Sequence, residues 1–441
     1  MSIFRHLLAN TLITSVTNFT VWFAITFFVY LETRSVFATA IISGIYLVLT
    51  AFTGIWFGSL VDHHKKKTMM LFSNVVSLGF YTISFILYLS VPDDTFEDPA
   101  NVTLWIFITL LMLGVIAGNI RTIAMPTLVT ILIPEDRRDK ANGLVGTASG
   151  ISFLITSVIS GLLVGAGGML YVLILALAVL GIGLLHLWNV DIPEVGVVHL
   201  EGDAPPDRSV DIKGTLAVIR GVPGLWALII FATINNFLGG VFMGLMDAYG
   251  LSLVSVETWG LLWGFLSSGF IVGGLLIARL GLGNNPVRSL LLINVVLWII
   301  TSLFAVQSSI VLLTIGMLLY MSLVPYIEAS EQTILQKVVP YERQGRVFGF
   351  AQSVEQAASP LTAFLIGPIA QFIFIPYMTT GGGVDLIGSW FGTGDERGIA
   401  LVFVLTGILG LILTLFALNS SFYRQLSETF RQTRNAPAVG D

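Results

Sequence analysis

The sequence predicts an all-α membrane protein whose twelve transmembrane helices form two pseudo-symmetric six-helix bundles. Three observations predict this class: long apolar runs separated by short polar breaks, basic residues concentrated on one side, and a short motif that occurs once in each half. The composition agrees, because 55% of the 441 residues are hydrophobic and 11% are charged, whereas soluble domains carry about 25% charged residues.

The apolar runs have the length of membrane spans, since a helix needs about 20 mostly apolar residues to cross a bilayer. Their hydrophobicity is continuous and does not alternate with period two, which favours helices over strands. The first run lacks a small-residue cleavage site, so we expect it to remain in the protein as a helix. The expected spans are residues 7–30, 36–60, 69–91, 103–132, 142–165, 169–189, 223–248, 258–280, 290–306, 310–336, 347–375 and 398–419.

The basic residues test this count of spans. Of the 21 Lys and Arg residues, Arg34 and Arg397 fall in outer segments and Arg121 falls within a span, which leaves 18 on the side of the N-terminus. Cytoplasmic segments of membrane proteins carry such an excess of positive charge. The sequence therefore predicts a multi-pass protein of the cytoplasmic (inner) membrane with both termini in the cytoplasm.

A repeated motif divides the chain into halves. Ile133–Arg137 reads IPEDR and Val339–Arg343 reads VPYER, with an offset of 340 − 134 = 206 positions, and each segment joins one long span to the next. Duplicated six-helix units are typical of transporters that bind substrate between the halves. The predicted domains are an N-terminal bundle (1–190), an acidic cytoplasmic linker (191–220), a C-terminal bundle (221–421) and a cytoplasmic tail (422–441).

The loop after the second span carries a family resemblance. Gly58–Lys67 reads GSLVDHHKKK, which resembles the cytoplasmic loop motif G-x-L-x-D-r-x-G-r-K of the major facilitator superfamily. Together with the run Val339–Phe348, it resembles the drug:proton antiporter branch that contains macrolide efflux proteins and the enterobactin exporter. The resemblance implies a monomer, a central cavity lined by spans one, four, seven and ten, and a cytoplasmic gate motif comprising Gly58, Asp62, Lys66 and Lys67.

Ionisable residues within spans are costly and are therefore the candidates for proton coupling. Glu328 and Glu331 are three positions apart in span ten and share one helix face; Glu355 lies in span eleven. Arg121 lies in span four, and adding the repeat offset gives position 327, next to Glu328. We expect Arg121 to face or pair with Glu328 or Glu331, and the carboxylates to exchange protons as the cavity opens to each side.

Polar and aromatic residues on the predicted cavity spans are candidates for substrate contacts. The alternative for the asparagines is a hydrogen bond between helices. Asp247 falls at the outer end of span seven, where it can face water. The candidate cavity residues are Asn18, Trp22, Asn235, Asn236 and Gln332.

Other classes of function lack their sequence signatures. There is no phosphate-binding loop for ATP hydrolysis, and there are no cysteines for a thiolate metal site. The net charge of −5 is not typical of nucleic-acid binding. We expect no enzyme activity, no cofactor and no metal.

The sequence predicts proton-coupled export of amphipathic small molecules, multidrug or macrolide-like, by alternating access. The alternatives are a siderophore or metabolite exporter, a lysolipid translocator, and a membrane receptor or scaffold that does not transport.

Overall fold

The computed structural model describes residues 2–33, 36–193 and 211–435, and within these ranges the backbone forms helices and turns without a strand. The helices are α1 (Ser2–Thr33), α2 (Val36–His63), α3 (Lys66–Ser90), α4 (Val102–Gly118), α5 (Ile120–Leu132), α6 (Arg138–Trp188), α7 (Ile212–Gly221), α8 (Leu225–Leu253), α9 (Val256–Leu280), α10 (Pro286–Leu303), α11 (Ile310–Val338), α12 (Gln344–Ile369), α13 (Ile375–Thr379), α14 (Gly382–Phe391), α15 (Asp395–Asn419) and α16 (Ser421–Asn435).

Each predicted span coincides with a helix or a run of helices. The fourth span is interrupted at Asn119, between α4 and α5. The fifth and sixth spans are joined in α6, whose backbone leaves helical geometry at Gly167 and Gly168. Gly168 has a φ of 58°, a conformation that glycine adopts without the steric cost of a Cβ. The all-α fold class is therefore confirmed.

Ten helices in the described part of the chain are long and apolar enough to cross a membrane. They include the combined run α4–α5, the second part of α6 and the run from Tyr341 to Thr379 that contains α12 and α13. The other two predicted spans correspond to α2 and the first part of α6, which are also helical. The count of twelve transmembrane spans stays a prediction.

The chain divides into two compact units. Unit 1 comprises Met1–Leu216 and Val339–Ser353, and unit 2 comprises Ala217–Val338 and Val354–Asp441. In unit 1, α1 packs on α6 and α3 packs on α4. In unit 2, α9 packs on α11 and α10 packs on α15. The first turns of α12 thus belong with the N-terminal helices, whereas the rest of α12 belongs to unit 2.

Aromatic rings fill the centre of each unit. In unit 1, the Phe28 ring meets the rings of Phe96 and Phe107 edge-on or nearly so. In unit 2, the Phe242 and Phe403 rings stack with centroids 5.0 Å apart. All five side chains are less than 9% exposed, and such rings contribute strongly to packing because each buries a large apolar surface.

The repeated motif adopts the same conformation in both places. Glu135–Arg137 and Tyr341–Arg343 each form a single 3₁₀ turn. The prolines before them, Pro134 and Pro340, share a φ of −53° and have ψ values of 144° and 137°. In each turn the arginine N–H donates to the proline carbonyl at 2.9 Å. The sequence repeat is therefore also a structural repeat.

Short helices occur in three segments outside the predicted spans: the linker (191–220), the segment 376–397 and the tail (422–441). Within the linker, residues 194–210 lie outside the described part, and α7 follows directly after. The loop 376–397 contains α14. The tail contains α16, which buries Leu426 and Phe430 and is joined to the start of α10 by a hydrogen bond between Asn285 Nδ2 and Ser427 Oγ at 2.7 Å.

Candidate transport site

The gate motif places a carboxylate at the start of α12. Asp62, near the end of α2, accepts the backbone N–H groups of Gly345 at 2.6 Å and of Arg346 at 2.8 Å. These N–H groups are in the first turn of α12, where no carbonyl within the helix can accept them. The positive end of the helix dipole also favours a carboxylate there. Asp62 therefore caps a helix 283 positions away in the chain.

Glycines let α2 and α12 approach closely at this point. A Cβ on Gly58 would overlap the carbonyl oxygen of Gly345, and one on Gly345 would overlap Asp62 Oδ1. One turn away from the cap, a Cβ on Gly349 would overlap the carbonyl oxygen of Gly54. The spacing of four positions in both helices puts these glycines on facing sides, so a larger side chain would push the two backbones apart.

The two motif lysines lie in different surroundings. Lys66 is 5% exposed, and its Nζ is 5.1 Å from the centroid of the Tyr341 ring in the repeated turn. Lys67 Nζ donates to the carbonyl of Trp188 at the end of α6, at 3.0 Å. Lys66, the first residue of α3, is therefore buried against the turn that precedes α12, whereas Lys67 contacts the end of α6.

Burial determines the protonation of Asp62, which lies beyond the predicted end of span two. It raises the pKa of this carboxyl from 3.8 to about 7. The N–H groups of Arg346 and Gly345 and the charges of Lys66 and Arg346 act in the opposite direction, but the cost of desolvating the carboxylate is larger. Asp62 can therefore change its charge near neutral pH while this contact is made.

The contact extends to the end of the linker through arginines. Arg346 Nε is 3.7 Å from Asp62 Oδ2, and its NH1 is 3.5 Å from Asp211 Oδ2. Arg343 NH1 is 3.6 Å from the same Asp211 oxygen. The other Asp211 oxygen, Oδ1, accepts the N–H of Gly214 at the start of α7, at 2.7 Å. Sequence reasoning missed Asp211, because one carboxylate in an acidic linker has no local signal.

Arg121 is held by two amides of unit 1. Its side chain is buried, with 3% of the residue exposed. NH1 donates to Asn74 Oδ1 at 2.8 Å and NH2 donates to Asn10 Oδ1. Asn10 in turn donates through Nδ2 to the carbonyl of Gly183 at 2.7 Å. The pairing of Arg121 with Glu328 or Glu331 stays a prediction, and sequence reasoning missed its two asparagine partners.

Three carboxyl groups gather on α11 and α12 within unit 2. The carboxyl groups of Glu331 on α11 and Glu355 on α12 lie close enough to interact, and Glu328 lies one turn before Glu331 on the same face. Two carboxylates both lack a donor, so a hydrogen bond between them requires that one is protonated. Glu328 is exposed, and Glu331 and Glu355 are half-buried. The arrangement is suited to holding and releasing a proton.

The cavity candidates of the N-terminal half contact aromatic residues of neighbouring helices. Asn18 Oδ1 on α1 accepts the hydroxyl of Tyr81 on α3 at 3.1 Å. The Trp22 ring lies on the Tyr46 ring of α2, with centroids 4.0 Å apart. Asn18 therefore makes the interhelical hydrogen bond that was the alternative to substrate contact, and its role in binding stays a prediction.

The candidates of the C-terminal half differ from one another. Asn235 Oδ1 on α8 accepts the indole N–H of Trp298 on α10 at 2.9 Å, again an interhelical bond. Asn236 donates to the carbonyl of Ala232 one turn earlier, at 3.1 Å. Gln332 Oε1 is buried and accepts from no donor in the described part of the chain. Of these three, Gln332 has the most capacity left for a ligand.

No group of three or more His, Cys, Asp or Glu residues in the described ranges has the geometry to hold a metal ion. The described features are instead those of a membrane transporter: apolar helices in two repeated sets, a capped helix contact and ionisable groups within spans. The family described as Major Facilitator Superfamily matches residues 7–363. The chain belongs to the major facilitator superfamily.

Curated relatives in this superfamily include efflux proteins. Macrolide efflux protein A of Streptococcus pyogenes is 23% identical over 381 residues, which covers 82% of this chain and 88% of the relative. Macrolide efflux protein A of Enterococcus faecalis is 24% identical over 324 residues, which covers 69% of this chain and 92% of the relative. The resemblance found in the gate motif thus extends along most of the chain.

Solved structures of other major facilitator proteins share the fold. A bacterial homologue of the iron transporter ferroportin superposes with a TM-score of 0.70 at 16% identity, covering 95% of this chain and all of the homologue. The human organic anion transporter MFSD10 gives 0.67 at 14% identity, covering 93% and 99%. Membership of the major facilitator superfamily makes the protein a multi-pass membrane transporter of small molecules, and it confirms the prediction that the protein is not an enzyme.

Proposed function

We propose that this transporter is a secondary exporter that moves amphipathic small molecules out of the cytoplasm in exchange for protons, by alternating access. The observation that carries the proposal is the proximity of the Glu331 and Glu355 carboxyl groups on neighbouring helices. A proton shared by this pair would lie between α11 and α12, with a third carboxyl, Glu328, one turn away. Ionisable groups are expensive within a membrane and persist where they serve ion pathways.

The coupling step follows from the chemistry of this pair. When the pair is exposed to the acidic side it binds a proton, and the neutral, hydrogen-bonded pair holds α11 and α12 together. When it is exposed to the cytoplasm it loses that proton, and two unbridged carboxylates repel each other. The membrane potential adds about 2.3 kcal/mol per proton for each 100 mV. We place the protein in the cytoplasmic membrane with both termini inside, in accord with its basic residues.

The α2–α12 contact is the proposed gate on the cytoplasmic side. Asp62 binds the start of α12, and Glu355 lies on the same helix ten positions after Gly345. Since a helix transmits a shift along its axis, a change at the carboxyl pair can move the capped end of α12. Macrolides are the first cargo to test, because the curated relatives are named as macrolide efflux proteins.

The test is flux in proteoliposomes with an imposed pH gradient. Uptake of a radiolabelled macrolide should rise when the gradient is applied and fall when a protonophore removes it. E331Q should abolish the gradient-driven part and retain macrolide binding. E428Q is the matched control, because Glu428 is an exposed glutamate on α16, and it should transport normally. Full gradient-driven flux in E331Q would exclude the carboxyl pair from the mechanism.

A further inference from the structure

A carboxylate near the C-terminal end of α8 is held by two tryptophans of α9. Asp247 Oδ1 accepts the indole N–H of Trp259 at 2.9 Å and that of Trp263 at 3.1 Å. The centroids of the two indole rings are 5.9 Å apart, and the ring planes are inclined to each other by 74°. All three residues belong to unit 2. The carboxylate therefore has a fixed position and a fixed orientation beside two aromatic rings.

The second oxygen of this carboxylate, Oδ2, is available to a ligand. Asp247 is exposed and Trp263 is half-buried, whereas Trp259 is 5% exposed. Within the described part of the chain, Asp247 Oδ2 accepts no hydrogen bond, since both indole N–H groups donate to Oδ1. A charged side chain that faced hydrocarbon would be costly, so this exposed carboxylate faces water, on the side of the membrane that the charge pattern assigns to the exterior.

Asp247 also shares a helix face with a candidate cavity residue. Asn236 and Asp247 are 11 positions apart, which is about three turns at 3.6 residues per turn. Gly240 and Met243 lie between them on that face. Gly240 packs against the carbonyl of Ser359 on α12, whereas Met243 is 65% exposed. The stripe is therefore covered by α12 at Gly240, and its exposed part at Met243 lies one helical turn from Asp247.

We propose that Asp247, Trp259 and Trp263 form an outer recognition site for an organic cation, such as a protonated amine or a quaternary onium group. A carboxylate attracts the charge, and an indole face adds a cation–π interaction. The two indole donors occupy only Oδ1, which leaves Oδ2 to the ligand. If the protein is the proposed exporter, this site narrows its cargo from amphipathic molecules in general to organic cations. That part of the inference rests on the proposed function.

A purely structural clamp between α8 and α9 is the competing explanation, and one substitution separates the two. In D247N the amide oxygen still accepts both indole N–H groups, so the clamp persists while the charge is lost. In W263F the aromatic face persists and the indole N–H is lost, whereas W263L removes the aromatic face as well as the N–H. D385N is the control for surface charge, because Asp385 is an exposed carboxylate on α14.

The experiment is equilibrium dialysis of the purified full-length protein against tetraphenylphosphonium, with the neutral triphenylphosphine oxide as the matched probe. D247N should weaken binding of the cation about five-fold, the scale of one solvent-accessible ion pair, and leave the neutral probe unchanged. W263L should weaken the cation more than W263F does. D385N should bind both probes as the wild-type protein does.

The outcomes that overturn the site are equally specific. The first is cation binding in D247N that equals that of the wild-type protein. The second is an equal loss of cation binding in D247N and D385N. The third is a loss of neutral-probe binding in D247N as large as the loss of cation binding. If D247N lowers the unfolding temperature, the two Trp263 variants provide the test. Weaker cation binding in W263L than in W263F supports the site, and equal binding in the two variants rejects it. Repetition in phosphatidylethanolamine nanodiscs identifies the source of the cation: weaker probe binding there assigns the site to a lipid amine, and unchanged binding assigns it to a dissolved molecule.

The result is independent of proton coupling. Selective loss of cation binding in D247N, together with no gradient-driven flux in wild-type proteoliposomes, would retain the site and reject the proposed exchange. Gradient-driven flux with unchanged cation binding in D247N would reject the site alone.

Discussion

The carboxylate of Asp62 on α2 accepts the backbone N–H of Gly345 in the first turn of α12, at 2.6 Å. The bond is possible because Gly345 has no side chain. A Cβ at this position would overlap Asp62 Oδ1 and lie 2.8 Å from the Gly58 carbonyl oxygen. A charged acceptor, a helix N-terminus and two glycines thus depend on one another. The contact can break as a unit, which is what a gate requires.

A methyl group at Gly345 should therefore open the contact. We expect G345A to reduce the transport rate about ten-fold or more, because the new Cβ separates α2 from α12 and leaves the Asp62 carboxylate without one of its donors. The rate is measured as initial flux in proteoliposomes. G79A is the matched control, because nothing lies within 4 Å of a Cβ at Gly79 on α3. Equal rates in the two variants would contradict the gate.

A disulfide can report the same contact directly. A Cβ at Gly54 would lie 3.4 Å from Ser353 Cβ, close to the separation of about 3.8 Å in disulfides, and the chain has no cysteine of its own. We expect G54C with S353C to cross-link under mild oxidation and to stop transport. Reduction should restore the flux. Cross-linking without loss of flux would show that the contact need not open during transport.

The contact should strengthen as the pH falls. Burial raises the pKa of Asp62 to about 7, against 3.8 for the ordinary carboxyl, so forming the contact takes up a proton between these pH values. The stabilisation is fully present below pH 4 and is lost as the pH rises through 7. The cross-linking yield of the G54C/S353C pair, divided by its yield in a D62N background, should fall between pH 5 and pH 8. A constant ratio would show that Asp62 does not titrate there.

The sequence was informative where the physical cause is local. Hydropathy is a property of each segment, so the helix ends of α3, α9 and α15 fall within a few residues of their predicted positions. The turn after Pro134 and the turn after Pro340 were predicted to be equivalent because each needs only five consecutive residues. The Asp62 motif was recognisable for the same reason.

The unpredicted features depend on residues far apart in the chain. Asp211 pairs with Arg343 and Arg346 because the chain folds back on itself, and nothing near Asp211 signals this. Asn10 and Asn74 are 64 positions apart and meet only at Arg121. The helices α14 and α16 have ten and fifteen residues and are too short to be found as spans; α16 is also polar. Long-range contacts of polar side chains therefore require the structure.

Replacement of Arg121 should cost stability as well as transport. Its guanidinium satisfies the oxygens of Asn10 and Asn74 in a buried site, and an unsatisfied buried polar group costs about 1–3 kcal/mol. We expect R121A to lower the unfolding temperature in detergent by several degrees. R121K should recover part of this loss, because an ammonium group can reach one amide. An unfolding temperature unchanged in R121A would show that the two asparagines are satisfied without it.

The carboxyl pair should behave as one unit in a double-mutant test. Removal of either acid abolishes the shared proton, so E331Q and E355Q should each reduce gradient-driven flux by about ten-fold or more. The double variant should be no worse than either single one, because non-additive effects are expected for two groups that act through one contact. E328Q should have a smaller effect, since Glu328 lies outside the Glu331–Glu355 pair and acts on it through its charge. Losses that multiply in the double variant would indicate two independent proton sites, and the exchange mechanism would then need a separate role for each glutamate.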